Sequence, residues 1–262
     1  LIAPYVEFAK KAFTRESTYR VEVFSNIGSL IFRVYLMRSL WTALYAHNAA
    51  PPNIPLHAMI TYATIALLMS LVLEVDGTRS IHEKLRQGSI ATDLMRPINL
   101  PLSFFSDGFG MTLFHAFTIL PSLLFALFLV HIDVPNPAAM LAFALSFALG
   151  YVLNSLINFL MNMVAFWTLE TFALQLMVRW TSDLLSGQLL PLTFFPGFLG
   201  NIVQNLPFAA IYSAPLRIYI GDLSPKSYAA TFETQVFWIL VSGAVAAFIW
   251  SRAQRHIVVQ GG

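Results

Sequence analysis

The 262-residue chain is 57% hydrophobic and only 11% charged, with a formal net charge of +2 and a mean hydropathy of +0.69. A soluble domain carries about a quarter charged residues, so this composition, with apolar runs longer than a soluble core helix needs, reads as an all-α polytopic membrane protein. The near-neutral charge and the lack of a basic patch interleaved with aromatics argue against nucleic acid as a partner. The absence of cysteine excludes disulfides, thiolate metal sites and cysteine nucleophiles.

Taken in order, residues 1–22 set Lys10, Lys11, Arg15 and Arg20 against Val6, Phe8, Ala9, Ala12 and Phe13. That pattern predicts an N-terminal helix lying in the membrane interface and leading into the first span. No small-residue cleavage site follows, so no cleavable signal is expected. The first span is expected at 23–46, where Trp41 and Tyr45 suit an interfacial belt. A turn with adjacent Pro51 and Pro52 leads to a second span at 56–74.

A polar island follows, with its helical part at 79–96. Ser80 and Glu83 have capping-box spacing, which predicts a helix start. Ile81 and Leu85 share one face, leaving His82, Lys84 and Arg86 for water or a partner. Gly88 ends this turn and Ser89 can cap a second. Pro97 and Pro101 should stop the helix before a third span at 102–130, kinked near Pro121. An island of this kind between two spans is ordinarily a solvated connection; orientation and resemblance bear on it below.

The fourth span is expected at 138–166, followed by a second polar interruption at 167–172 and a fifth span at 173–190. The next stretch is broken by Pro191, Pro196, Pro207, Pro215 and Pro225. It is too apolar for a plain loop and too interrupted to span, which predicts outer re-entrant helices within 195–220, at about 197–205 and 208–218. Phe194, Phe195, Phe198 and Phe208 lie beside them, either gating a path or anchoring the helices. A sixth span at 232–250 ends at Arg252 and Arg255. The whole reads as one transmembrane domain, 1–262.

With six spans, both termini and the two polar islands share one side. That side holds Lys10, Lys11, Arg15, Arg20, Arg79, Lys84, Arg86, Arg96, Arg252 and Arg255, against only Arg217 and Lys226 opposite. The positive-inside rule makes it the cytoplasmic side.

Among chemical motifs, His82-Glu83 begins like HExxH, but the second ligand position is Arg86. There is no GxSxG, GxGxxG or Walker A sequence, so neither a P-loop nor a hydrolase site is expected, and an intramembrane enzyme is disfavoured. Ser146, Gly150, Asn154, Asn158 and Asn162 recur every four residues on one helix face. Amides in lipid must meet protein or water, so this stripe reads as interhelical glue or as the lining of a path. Asp183 is the mid-membrane carboxylate, and Arg33 or Arg38 of the first span could pair with it, because a lone buried charge costs about 2.5–3.5 kcal/mol. Direct contact with cargo is the other reading of these three charges.

KLRQGSIATDLMRP (residues 84–97) resembles the IRxGxxxxDLLRP stretch of one subfamily of ABC-2-type ABC transporter permeases, with Arg86, Gly88, Asp93, Leu94, Arg96 and Pro97 in place and Met95 where Leu is usual. AFWTLE (165–170), SGQLLPLTFFP (186–196) and LPFAAIYSAPLRIYIG (206–221) resemble the same subfamily in order and spacing, and the likeness in layout covers essentially the whole chain.

The resemblance implies the membrane subunit of a bacterial ATP-driven exporter in the inner membrane. Two permeases, identical or related, would pair with two cytoplasmic ATPase subunits that hold ATP and Mg. Ile81, His82, Glu83, Lys84, Leu85, Arg86, Asp93 and Arg96 would form the coupling helix, and Glu170 a smaller contact. The path would run between the two permeases along the first, second and fifth spans, which leaves the Asn stripe as internal glue. The alternative is an ion-coupled secondary carrier using Asp183. The resemblance leaves the cargo open.

Overall fold

The computed structural model describes residues 3–17, 20–47, 54–74, 78, 80–130, 132–168 and 172–254. Among these residues the chain forms twelve α-helices. They are α1 (Ala3–Glu16), α2 (Arg20–Ala46), α3 (Leu56–Leu73), α4 (Ser80–Arg86), α5 (Ile90–Leu94) and α6 (Leu100–Val130), followed by α7 (Pro137–Met163), α8 (Phe172–Leu185), α9 (Gly197–Gln204), α10 (Pro207–Ile211), α11 (Ser213–Tyr219) and α12 (Tyr228–Ala253). Among the described residues three stretches are long and apolar enough to cross a bilayer: α3, α7 with its 3-10 extension to Phe166, and α12 with the turn before it. At 1.5 Å per residue, α2 and α6 are about 40 and 46 Å long; α2 carries Arg33 and Arg38, and α6 continues through Pro121.

α3 lies at the centre. Its sequence is apolar on every face, and a helix without a polar stripe is stable only when surrounded. Met59, Tyr62, Ala66 and Met69 are accordingly buried, packed with Leu30 and Val34 of α2, Leu153 of α7 and Leu216 of α11. The start of α7 is capped by Asn136, whose side chain accepts from the Ala139 amide, with Pro137 in the first turn.

α1 packs along the first half of α6. Tyr5 accepts from the Asn99 amide at 2.9 Å, Phe13 meets Phe114 edge-on, and Arg15 bonds Asp107 at 3.0 Å. Burial opposes the Arg15 charge, but the hydrogen bond and attraction to Asp107 outweigh it and raise the guanidinium pKa above its ordinary value. Gly110 makes the close approach possible, since a Cβ there would run into the Ala9 carbonyl.

Two expectations change in the proline-broken region before α12. The helix over the fifth span stops at Leu185, not 190. Gly187 follows at φ +85°, a conformation glycine accepts at little steric cost, and its carbonyl receives the Tyr62 hydroxyl. The helix expected at about 208–218 is two pieces, α10 and α11, broken at Tyr212. Pro215 has no N–H to give the Ile211 carbonyl and its ring would clash with it. That carbonyl instead faces α7, where a Cβ on Gly150 would lie 2.8 Å away.

The phenylalanines of this region part company. Phe194 tilts against Trp41, Phe195 packs with Leu192, Val203 and Ala209, and Phe198 is exposed.

Candidate functional site

Two features stand out, a helical hairpin at one end of the bundle and a polar cleft that opens beside it.

The hairpin is α4 and α5, joined through Gly88 at φ +69°. Helices of seven and five residues do not hold themselves. Ile81 and Ile90 are fully buried on Leu100 and Phe104 of α6, Phe159 and Met163 of α7 and Ala246 of α12. Each contributes about 1.5–3 kcal/mol of apolar burial. Leu85 and Leu94 add to this face. Ring contacts below, Phe105 with Phe159 and Phe166 with Trp250, tie the same end of α6, α7 and α12 together. The hairpin is therefore seated on three helices at once.

The expected division of its charges is only partly met. Lys84 turns inward, 2.6 Å from Asp93 Oδ2 and over the Phe104 ring, and Asp93 Oδ1 also takes Arg96 at 3.4 Å. Lys84 and Asp93 thus clamp α4 to α5 and do not form a free charged face. Ser89 does not cap α5; its hydroxyl donates weakly to the Lys84 carbonyl. Pro101 sits in the first turn of α6, where its missing N–H would be unused, so Pro97 alone separates the helices. The outward surface is Glu83, Gln87, Thr92, Met95 and Arg96, with Met95 87% exposed and His82 half-buried. The side chain of Arg86 and all of Glu170 lie outside the described residues.

The cleft is bounded by the end of α3, the middle of α7, α8 and Tyr212. It has a volume of about 180 Å³, room for several waters. α8 explains its polarity. Gln175, Arg179, Ser182 and Asp183 fall on one face that lines the cleft, while Met177, Trp180 and Leu184 are exposed on the other. That stripe was legible in the sequence as i, i+4, i+7, i+8, but Asp183 drew attention alone.

The ion pair in the cleft is Arg179 with Glu74, at 3.2 Å. Arg33 and Arg38 are exposed on α2, and the expected pair between either of them and Asp183 does not form. The charges acting on Asp183 are Arg179, one turn earlier on α8, and Glu74 at the end of α3.

The α7 stripe divides. Ser146 donates to Gln235 of α12, whose amide also reaches the Ser146 and Ala210 carbonyls. Asn154 holds the Leu73 carbonyl at 2.7 Å. Asn162 donates to Thr78 and accepts from Gln175, linking the approach to α4 with α8. These are interhelical bonds. Asn158, by contrast, lines the cleft, and its amide has no hydrogen bond among the described residues. Gln235 and Tyr212 had no sequence signal beyond being polar atoms in apolar surroundings.

Among the described residues no group of three or more His, Asp or Glu side chains is placed to hold a metal ion. Residues 40–261 match the model of the family described as ABC-2 family transporter protein. The chain matches no curated protein at a significant level.

Proposed function

Because the chain belongs to the ABC-2 family of transporter proteins, which makes it a multi-pass ABC transporter permease working with ABC ATPase partners, we propose that it drives export with energy from ATP hydrolysed on those separate chains. The α4–α5 hairpin is the coupling element, and two ATPase subunits, each holding ATP and Mg, dock beneath it. A second permease, identical or related, completes the path. The chain makes six passages of a bacterial inner membrane, with the hairpin and both termini in the cytoplasm. The ion-coupled alternative is not favoured by the family.

The seating of the hairpin carries this reading. A short rigid element with a solvent-facing tip rests on α6, α7 and α12 together, so a push on the tip is passed to three helices and not absorbed by a loop. The Thr78–Asn162–Gln175 bonds offer a second connection, from the start of the hairpin to α8.

Met95→Glu tests it. The side chain is 87% exposed and touches no core, so folding stability should move by less than about 0.5 kcal/mol. A carboxylate pushed into an apolar docking groove should reduce copurification of the ATPase and its stimulation by the permease at least tenfold, a cost of about 1.4 kcal/mol or more. Unchanged copurification and coupling would remove the hairpin from the contact.

A further inference from the structure

The polar cleft holds more hydrogen-bonding capacity than the protein uses. Asn154 and Asn162 are spent on helix contacts, and Arg179 neutralises Glu74. Among the described residues, the Asp183 carboxylate, the Asn158 amide, the Ser182 hydroxyl and the Tyr212 hydroxyl have no hydrogen bond or ion pair. Tyr212 stands apart from the others. The residue is only 4% exposed and lines the cleft, so water or a ligand in the cleft is what its hydroxyl can bond. With Asp183 the same wall carries two carboxylates, Glu74 and Asp183, against the single guanidinium of Arg179.

We infer that this cleft, inside a single permease chain, is a water-accessible binding site for a small solute bearing a protonated amine. Asp183 takes the ammonium group, and Tyr212, Ser182 and Asn158 bond the polar atoms beside it. The three donors of an ammonium match an acceptor-only carboxylate with hydroxyl and amide oxygens nearby. A carboxylate or phosphate ligand would meet Asp183 as a like charge, with Arg179 already paired. The site opens beside Glu74 and Phe172, at the end of the bundle where the hairpin sits. It rests on the permease reading for its role in transport, but the binding chemistry does not depend on it.

The chain has no cysteine, which permits a direct test in the permease–ATPase complex in nanodiscs. Asn158→Cys is treated with a cationic and an anionic methanethiosulfonate reagent, each rate normalised to that with free cysteine. The cationic reagent should react about tenfold faster, and Asp183→Asn in the same background should abolish that preference, one screened charge having been removed. Ethylamine should protect the introduced thiol from a neutral methanethiosulfonate, and N-ethylacetamide should not. Tyr212→Phe should weaken ethylamine protection severalfold without changing the charge preference.

An introduced thiol inert to both reagents, a charge preference that survives Asp183→Asn, equal protection by amine and amide, or protection indifferent to Tyr212→Phe would each overturn the assignment. Copurification of the ATPase, measured on the same samples, reports on the fold and the permease reading separately. Its loss with the unsubstituted chain would count against that reading and leave the cleft result standing.

Discussion

Asp93→Asn removes the charge from the carboxylate that joins the two arms of the hairpin. The bond to Lys84 is short, 2.6 Å, and partly desolvated, with the two side chains 13% and 35% exposed. A charge-assisted bond of this kind contributes about 1.5–3 kcal/mol. The contact with Arg96 is longer and its guanidinium is 57% exposed, so it contributes at most about 1 kcal/mol. A loss of about 2 kcal/mol is expected. It falls on local stability, because α4 and α5 are too short to persist unaided, while the rings beneath them belong to long helices.

Hydrogen exchange of the complex in nanodiscs, read by mass spectrometry, measures this directly. An opening free energy lowered by about 2 kcal/mol speeds exchange of the amides in 80–96 by about 30-fold, with peptides from α7 as the unchanged control. Lys84→Met added to Asp93→Asn should cost less than about 0.5 kcal/mol more, since the pair is already broken. ATPase coupling should fall with the loss of order. Exchange altered less than about threefold, or additive effects of the two substitutions, would refute the clamp.

Two further outcomes follow from packing. Gly110→Leu would drive a side chain into the Ala9 carbonyl, at about 1–3 kcal/mol for overpacking. The α1 helix should lift from α6, seen as faster tryptic cleavage at Lys10 and Lys11, whereas Gly28→Ala, with nothing within 4 Å of its Cβ, should leave cleavage unchanged. Gln235→Leu removes three interhelical hydrogen bonds, one from the Ser146 hydroxyl and two to the Ser146 and Ala210 carbonyls. Interhelical bonds in membranes contribute about 0.6–1.7 kcal/mol each, so the unfolding free energy in mixed micelles should drop by about 2–4 kcal/mol.

Helix positions were largely legible in the sequence because apolar run length and proline placement are local properties of the chain. The order of elements follows from them except for the split of α10 from α11, as do the Gly88 break and the proline-broken region before α12. So does the inward face of Ile81 and Leu85, which is a matter of spacing alone. The ABC-2 character was readable for the same reason, carried by the short stretch around Arg86–Pro97.

Pairing was not legible. Arg33 and Arg38 were the candidates to meet Asp183, and the fold instead brings Arg179 of α8 to Glu74 at the end of α3. Lys84 is a surface residue by helical phase, yet Asp93, brought back by the turn at Gly88, draws it inward. The Asn stripe is one face in sequence, but different neighbours use four of its members and leave Asn158 to the cleft. A spacing states which side chains share a face; what that face meets is set by elements far away in the chain, and the tertiary structure alone brings them together.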